Sequence, residues 1–322
     1  MGLLTRGSRG SSCGNSEATD TGIYVTSLWD GGWQDRCVRT APPELLVLGG
    51  IGSVQFGSAF ANKLFAQAGP GGVVLLRLLL SAAILLAFSR PRLRGRSRAD
   101  LGAAVAFGLV LGGMNWSFYE ALHRLPLGVA VTIEFVGPLT VAVAGSRRAL
   151  DGVWVVLAGG GVALLALRGG RHDIHATGVA LALVAAACWA GYILLSQRVG
   201  AAFAQLDGLA IALGVGTLLV IPAGVVEGGT AILRPSVIAG GLGVALLSSL
   251  IPYSLEIMAL RRLRASRFGL LTSLEPAVAA LAGVIVLGQR LTGVLAIALV
   301  MVVCASIGNT LMSRRTIVAP EA

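Results

Sequence analysis

Two glutamates stand where a glutamate is expensive. Glu134 and Glu275 each fall near the middle of a long apolar run, 127–145 and 267–286. A charged side chain at the centre of a bilayer costs about 2.5–3.5 kcal/mol on insertion scales, so each needs a reason. A proline accompanies both: Pro138 one turn after Glu134, Pro276 directly after Glu275. Proline removes an intrahelical hydrogen bond and frees a backbone carbonyl. A broken or kinked helix beside a carboxyl suits a cation, an ammonium group or a proton. The plainer alternative is a protonated glutamate hydrogen-bonded between helices, with the prolines acting only as kinks.

Other polar side chains inside apolar runs extend this candidate site. Gln55, Asn115, Trp189, Tyr192 and Tyr253 can supply hydrogen bonds or an aromatic wall, although aromatics in such runs also serve as packing. Glu120 and Glu256 lie near the ends of their runs, beside His123–Arg124 and Arg261–Arg262. They are expected as gates or interfacial ion pairs. Lys63, near the end of the first run, snorkels or gates, and Arg77 snorkels or pairs structurally.

Catalytic patterns are missing: no phosphate-binding loop, no nucleophile elbow, no His or Asp constellation within an apolar run. The three histidines (His123, His172, His175) fall in expected loops, and the four cysteines make no CxxC pair. The expectation is a protein that is not an enzyme and holds no metal or cofactor.

The elements that must position these residues follow from composition. Of 322 residues 55% are hydrophobic and only 12% charged, with a mean hydropathy of +0.83. Soluble domains carry about twice that share of charge, so the bilayer is the expected solvent. The net charge of +10 sits in short breaks such as Arg90–Arg98, which marks topology and argues against nucleic acid. From Leu45, apolar runs at 45–65, 71–90, 101–122, 127–145, 150–167, 176–197, 207–226, 236–258, 267–286 and 292–312 each suffice to cross a membrane. With the N-terminus cytoplasmic, 18 basic residues lie inside and 6 outside, which predicts both termini in the cytoplasm. Residues 1–44 read as a disordered cytoplasmic tail and 313–322 as a cytoplasmic C-tail. Gly108 and Gly112 form a pair of small residues one turn apart, suited to close helix contact, and glycine-rich faces also leave a homodimer open.

An internal repeat appears at an offset of 138. Ala121-Leu-His-Arg-Leu125 aligns with Ala259-Leu-Arg-Arg-Leu263, Pro138 with Pro276, and Gly145 with Gly283. Glu134 aligns with Thr272, one turn from Glu275. Each unit holds five spans, so the second copy enters the membrane inverted. The expected architecture is an all-α integral membrane protein of ten transmembrane helices, as two inverted five-helix repeats, 45–167 and 168–312. Inverted repeats place a transporter's site between the halves near the midplane.

Several segments resemble the drug/metabolite transporter superfamily, and within it the ten-span EamA-domain exporters. They are Gly112-Gly-Met-Asn-Trp-Ser-Phe-Tyr-Glu120, Leu125-Pro-Leu-Gly-Val-Ala130, Glu134-Phe-Val-Gly-Pro138, Ala187-Cys-Trp-Ala-Gly-Tyr-Ile193, Pro252-Tyr-Ser-Leu-Glu256 and Ser273-Leu-Glu-Pro-Ala277. Ser53-Val-Gln55, Lys63-Leu-Phe65 and Gly72-Val-Val-Leu-Leu-Arg77 are similar to members that export threonine and homoserine. The resemblance covers residues 45–312. It implies an inner-membrane exporter with a central cavity, moving small metabolites such as these amino acids by proton-coupled antiport. Gln289 departs from it, since many relatives carry glutamate there. Broad-specificity drug export and a non-transporting membrane sensor or enzyme are the alternatives. Short loops leave no room for the soluble region the last would need.

Overall fold

The structure is a computed structural model. It describes residues 42–317 apart from 90, 92–95, 145–148, 169–174, 204–205, 261–262, 264–267 and 269–270. The N-terminal tail as far as 41, His172, Cys13, Cys37 and the arginines at 261 and 262 therefore lie outside the described residues. Every described element is a helix. In chain order they are α1 (Pro43–Ser89), α2 (Arg98–Arg124), α3 (Leu127–Glu134), α4 (Val136–Ala144), α5 (Ala149–Arg168) and α6 (Ala176–Ala202). Then follow α7 (Asp207–Gly228), a 3₁₀ turn (Gly229–Leu233), α8 (Pro235–Ala245), a π turn (Leu246–Leu250), α9 (Ile251–Leu260), α10 (Glu275–Leu287) and α11 (Gly293–Ile317).

Among the described residues five stretches are long and apolar enough to cross a membrane: Pro43–Ser89, Arg98–Arg124, Ala176–Ala202, Asp207–Leu233 and Pro235–Glu256. Shorter apolar helices cover Leu127–Val141, Glu275–Leu287 and Gly293–Gly308. Helices satisfy their own backbone groups, which hydrocarbon cannot do for them. Their outer faces are bare and greasy, with Val226 82% and Val156 75% exposed. Such a surface is costly in water and ordinary in lipid. The last helix continues past 312 to Ile317, further than the apolar run suggests.

At 47 residues α1 would reach about 70 Å if straight, more than twice the hydrocarbon thickness. Gly69 breaks it with φ 64° and ψ 163°, a conformation that glycine alone adopts cheaply, and Pro70 opens the second limb. The limbs fold back on each other. Phe65 from the first and Arg77 from the second both lie against Tyr119. Leu64 and Leu76 likewise meet the adjacent Gly240 and Gly241 of α8. Glu227 of α7 holds the turn, its Oε2 accepting the Gly71 N–H at 2.7 Å.

Close helix contact appears where the small residues predict it. A Cβ on Gly112 of α2 would sit 2.8 Å from the Gly216 Cα of α7, and one on Gly108 2.7 Å from the Ala212 carbonyl oxygen. Dispersion and backbone proximity stand in for the hydrophobic drive that lipid removes.

Both glutamate–proline runs are interrupted. The first breaks at Phe135, between α3 and α4; the second breaks at Ser273–Leu274, just before α10. Pro138 and Pro276 do not bend one continuous helix. Each stands in the first turn of a helix that starts anew, where its missing N–H has no partner to lose. Glu134 is consequently the last residue of α3 and Glu275 the first of α10. A third interruption, the π turn at Leu246–Leu250, precedes α9. His123 is not in a loop but in the last turn of α2, packed edge-on against Phe65.

Candidate functional site

A cavity of about 130 Å³ lies among these interruptions. Glu134 enters it from the end of α3 and Glu275 from the start of α10. The first limb of α1 supplies Gln55 and Ser58, and α2 supplies Asn115 and Phe118. Trp189 and Tyr192 come from α6, Tyr253 and Glu256 from α9. All seven residues expected to bind substrate or protons (Glu134, Glu275, Gln55, Asn115, Trp189, Tyr192 and Tyr253) line this one space. They come from distant parts of the chain, and only the interrupted helices bring them together.

Local packing explains how several are held. Trp189 stacks edge-to-face on Phe135, the residue at the α3–α4 break, with ring centroids 5.9 Å apart. Tyr192 rests on Phe107 at 5.1 Å. Asn115 donates from Nδ2 to the Leu111 carbonyl of its own helix at 2.8 Å. Gln55 Oε1 and Ser248 Oγ are buried and have no hydrogen-bond partner. Buried polar atoms are rarely left so, and both line the cavity.

The residues expected at span ends divide into two groups. Glu120, with Arg124 one turn on, forms an ion pair near the far end of α2, and the Glu227 carboxyl is its neighbour. Lys63 is exposed near the Gly69 turn. Asn62 donates to the Leu122 carbonyl oxygen at 2.9 Å, which ties α1 to α2. Glu256 does not join such a cluster. It lines the cavity beside Tyr253, because the cavity extends along α9 past the π turn.

Of the two expectations for Arg77, the structure shows the structural pairing. The side chain does not snorkel: it is 6% exposed and lines the cavity. Its Nε donates to Ser249 Oγ at 3.2 Å, one terminal nitrogen to the Tyr119 hydroxyl at 3.1 Å, and the other to the Ser248 carbonyl at 2.8 Å. The guanidinium also lies over the Tyr119 ring, 5.4 Å from its centroid. The one signal for it in the sequence is that it is the only basic residue in an apolar run that stands well away from the run's ends.

Gln289 has a clear local role. Its Oε1 accepts the Leu127 N–H at 3.0 Å, satisfying one of the unpaired donors at the start of α3. Cys188 and Cys304 are free thiols, and among the described residues no group of His, Cys, Asp and Glu is arranged to hold a metal ion.

The arrangement is a small, partly open space lined by ionisable side chains in an apolar helical body. It can bind a small ionic solute and exchange protons with it. Over 275 residues the chain is 45% identical to the threonine/homoserine exporter RhtA of Escherichia coli (strain K12) and to that of Salmonella typhimurium (strain SL1344). Each match covers 85% of this chain and 92% of the relative. A solved crystal structure shares the fold at 20% identity and a TM-score of 0.55, over 84% of this chain and 98% of that one. The EamA-like transporter family itself matches residues 176–311. With its apolar helices and its similarity to exporters along most of its length, this multi-pass membrane protein belongs to the EamA-like transporter family.

Proposed function

We propose that the chain exports small neutral amino acids of the threonine and homoserine type across the cytoplasmic membrane, coupled to proton entry. The observation that carries this reading is the single cavity lined by Glu134, Glu256, Glu275 and Arg77. A zwitterion needs an anion for its ammonium and donors for its carboxylate, and both kinds of group are present. The named substrates of the two relatives supply the chemical class. Size agrees with it. An engineered cavity of roughly 150 Å³ accepts benzene, whereas pockets for drug-sized ligands run to about 300–1,000 Å³. A space of about 130 Å³ has room for a solute of threonine's size.

In this reading ten helices cross the membrane as two inverted five-helix units, 45–167 and 168–312, with both termini in the cytoplasm. The hairpin of α1 and the interrupted pair α3–α4 contribute to that count. The family match over 176–311 falls within the second unit, which supports a division there. Glu134 comes from the first unit, Glu256 and Glu275 from the second, so rocking of one unit against the other would alter the cavity they share. Protonation of these carboxyls on one side and release on the other would couple the cycle.

Cells overproducing the chain should resist homoserine in the medium and release threonine faster than control cells. Equal resistance and equal efflux would remove this substrate assignment. Faster release of planar aromatic compounds instead would favour the broad-specificity alternative.

A further inference from the structure

The cavity holds one permanent cation that makes no direct ion pair among the described residues. Arg77 is bound only by neutral groups: two hydroxyls, one backbone carbonyl and one aromatic face. Among the described residues no carboxylate stands within ion-pair distance of it, although Glu134, Glu256 and Glu275 line the same space. Burying a guanidinium without a counter-ion is costly, and such groups persist where something supplies the charge. The neutral partners fix the direction of the planar fork without neutralising it. Five N–H groups belong to a guanidinium and three are used here, which leaves two for a ligand. Arginine binds carboxylates through two parallel hydrogen bonds, a geometry lysine does not offer.

A second, independent observation lies nearby. Ser248 Oγ and Gln55 Oε1 line the cavity, 1% and 5% exposed as residues, and neither atom has a hydrogen-bond partner. Ser248 also gives its carbonyl to Arg77, and its hydroxyl packs beside Gly57 of α1. A hydroxyl can donate to a carboxylate oxygen, and an amide oxygen can accept from an ammonium or hydroxyl group.

We propose that Arg77, aided by the Ser248 hydroxyl, anchors the α-carboxylate of the transported solute, while Gln55 Oε1 accepts from its ammonium or side-chain hydroxyl. This rests on the reading of the cavity as the transport site and adds to it which wall recognises the acid. It also implies selection against amines, alcohols and amides that share the rest of the substrate's shape.

The test uses the purified full chain and matched ligand pairs: threonine with threoninol and threoninamide, and homoserine, leucine and phenylalanine each with the corresponding amino alcohol. Ligand-induced thermal stabilisation and competition with radiolabelled threonine report binding. The acid of a bound pair should outcompete its alcohol by about 30-fold or more, as expected when one partner of a buried charge pair is removed. Arg77→Gln should erase that preference; Arg77→Lys should restore part of it. If Arg77→Gln does not fold, the pairs on the wild-type chain still decide. Equal binding of acid and alcohol, or of the acid to wild type and a folded Arg77→Gln, overturns the anchor, as does binding of no acid in the panel. Arg77-dependent binding of another acid but not threonine or homoserine keeps the anchor and discards the substrate assignment.

Discussion

Two clusters of charged residues among the described residues are treated in opposite ways. Near the far end of α2, Glu120 pairs with Arg124 on its own helix, and Glu227 accepts a backbone N–H that secures the Gly69 turn. These groups spend their charge on the fold. In the cavity, Arg77 faces three carboxyls and is ion-paired with none. Gln55 and Ser248 keep bare polar atoms beside it. The difference separates charges that hold helices together from charges kept available for a ligand or a proton.

Substitutions that remove charge at one place and not the other sharpen this contrast. The largest effect is expected in the cavity: Glu134→Gln and Glu275→Gln should each lower the initial rate of threonine efflux from cells by about 30-fold or more, with unchanged protein levels. Overpacking a helix contact should come next. Gly112→Val would drive its side chain into the Gly216 backbone and cost about 1–3 kcal/mol, visible as a lower melting temperature of the purified protein. Glu227→Ala should cost about 1 kcal/mol by freeing the Gly71 N–H, again read by melting, with the acid-over-alcohol preference intact. The smallest effect belongs to Gln289→Ala, which exposes one donor at the start of α3 and should cost about 0.5–1 kcal/mol. Gln289→Glu should be neutral, since a carboxylate accepts the same N–H. Equal efflux losses from Glu227→Ala and Glu134→Gln would erase the distinction between the two places.

Much of the site was legible because deep polar residues are rare in apolar runs and each therefore stands out. Glu134, Glu275, Gln55, Asn115 and the three aromatics were found in that way, and they line one cavity. The interruptions at Pro138 and Pro276 were legible as kinks or breaks, without a choice between the two. Whether proline bends a helix or opens a new one depends on what satisfies the freed backbone groups, which is a tertiary matter. The depth of Arg77 and the place of Glu256 on the cavity wall were not legible, for a related reason. Distance to the end of an apolar run measures depth along one helix, whereas burial depends on neighbours. Tyr119 and the serines of the π turn draw Arg77 inward, and the cavity reaches Glu256 along α9. The fold-back at Gly69 was partly visible, since the expected spans end at 65 and resume at 71. The acceptor that holds that turn, Glu227, lies 156 residues away from Gly71 and left no local pattern.

The central claim is that the unpaired charges of the cavity, not the paired ones of the outer cluster, carry coupled transport. Proteoliposomes containing wild type, Glu134→Gln or Glu120→Gln, given an imposed pH gradient and radiolabelled threonine, test it directly. Gradient-driven threonine movement should be present in wild type, nearly absent in Glu134→Gln, and largely kept in Glu120→Gln. No gradient-driven movement in wild type, or equal losses in the two variants, would contradict it.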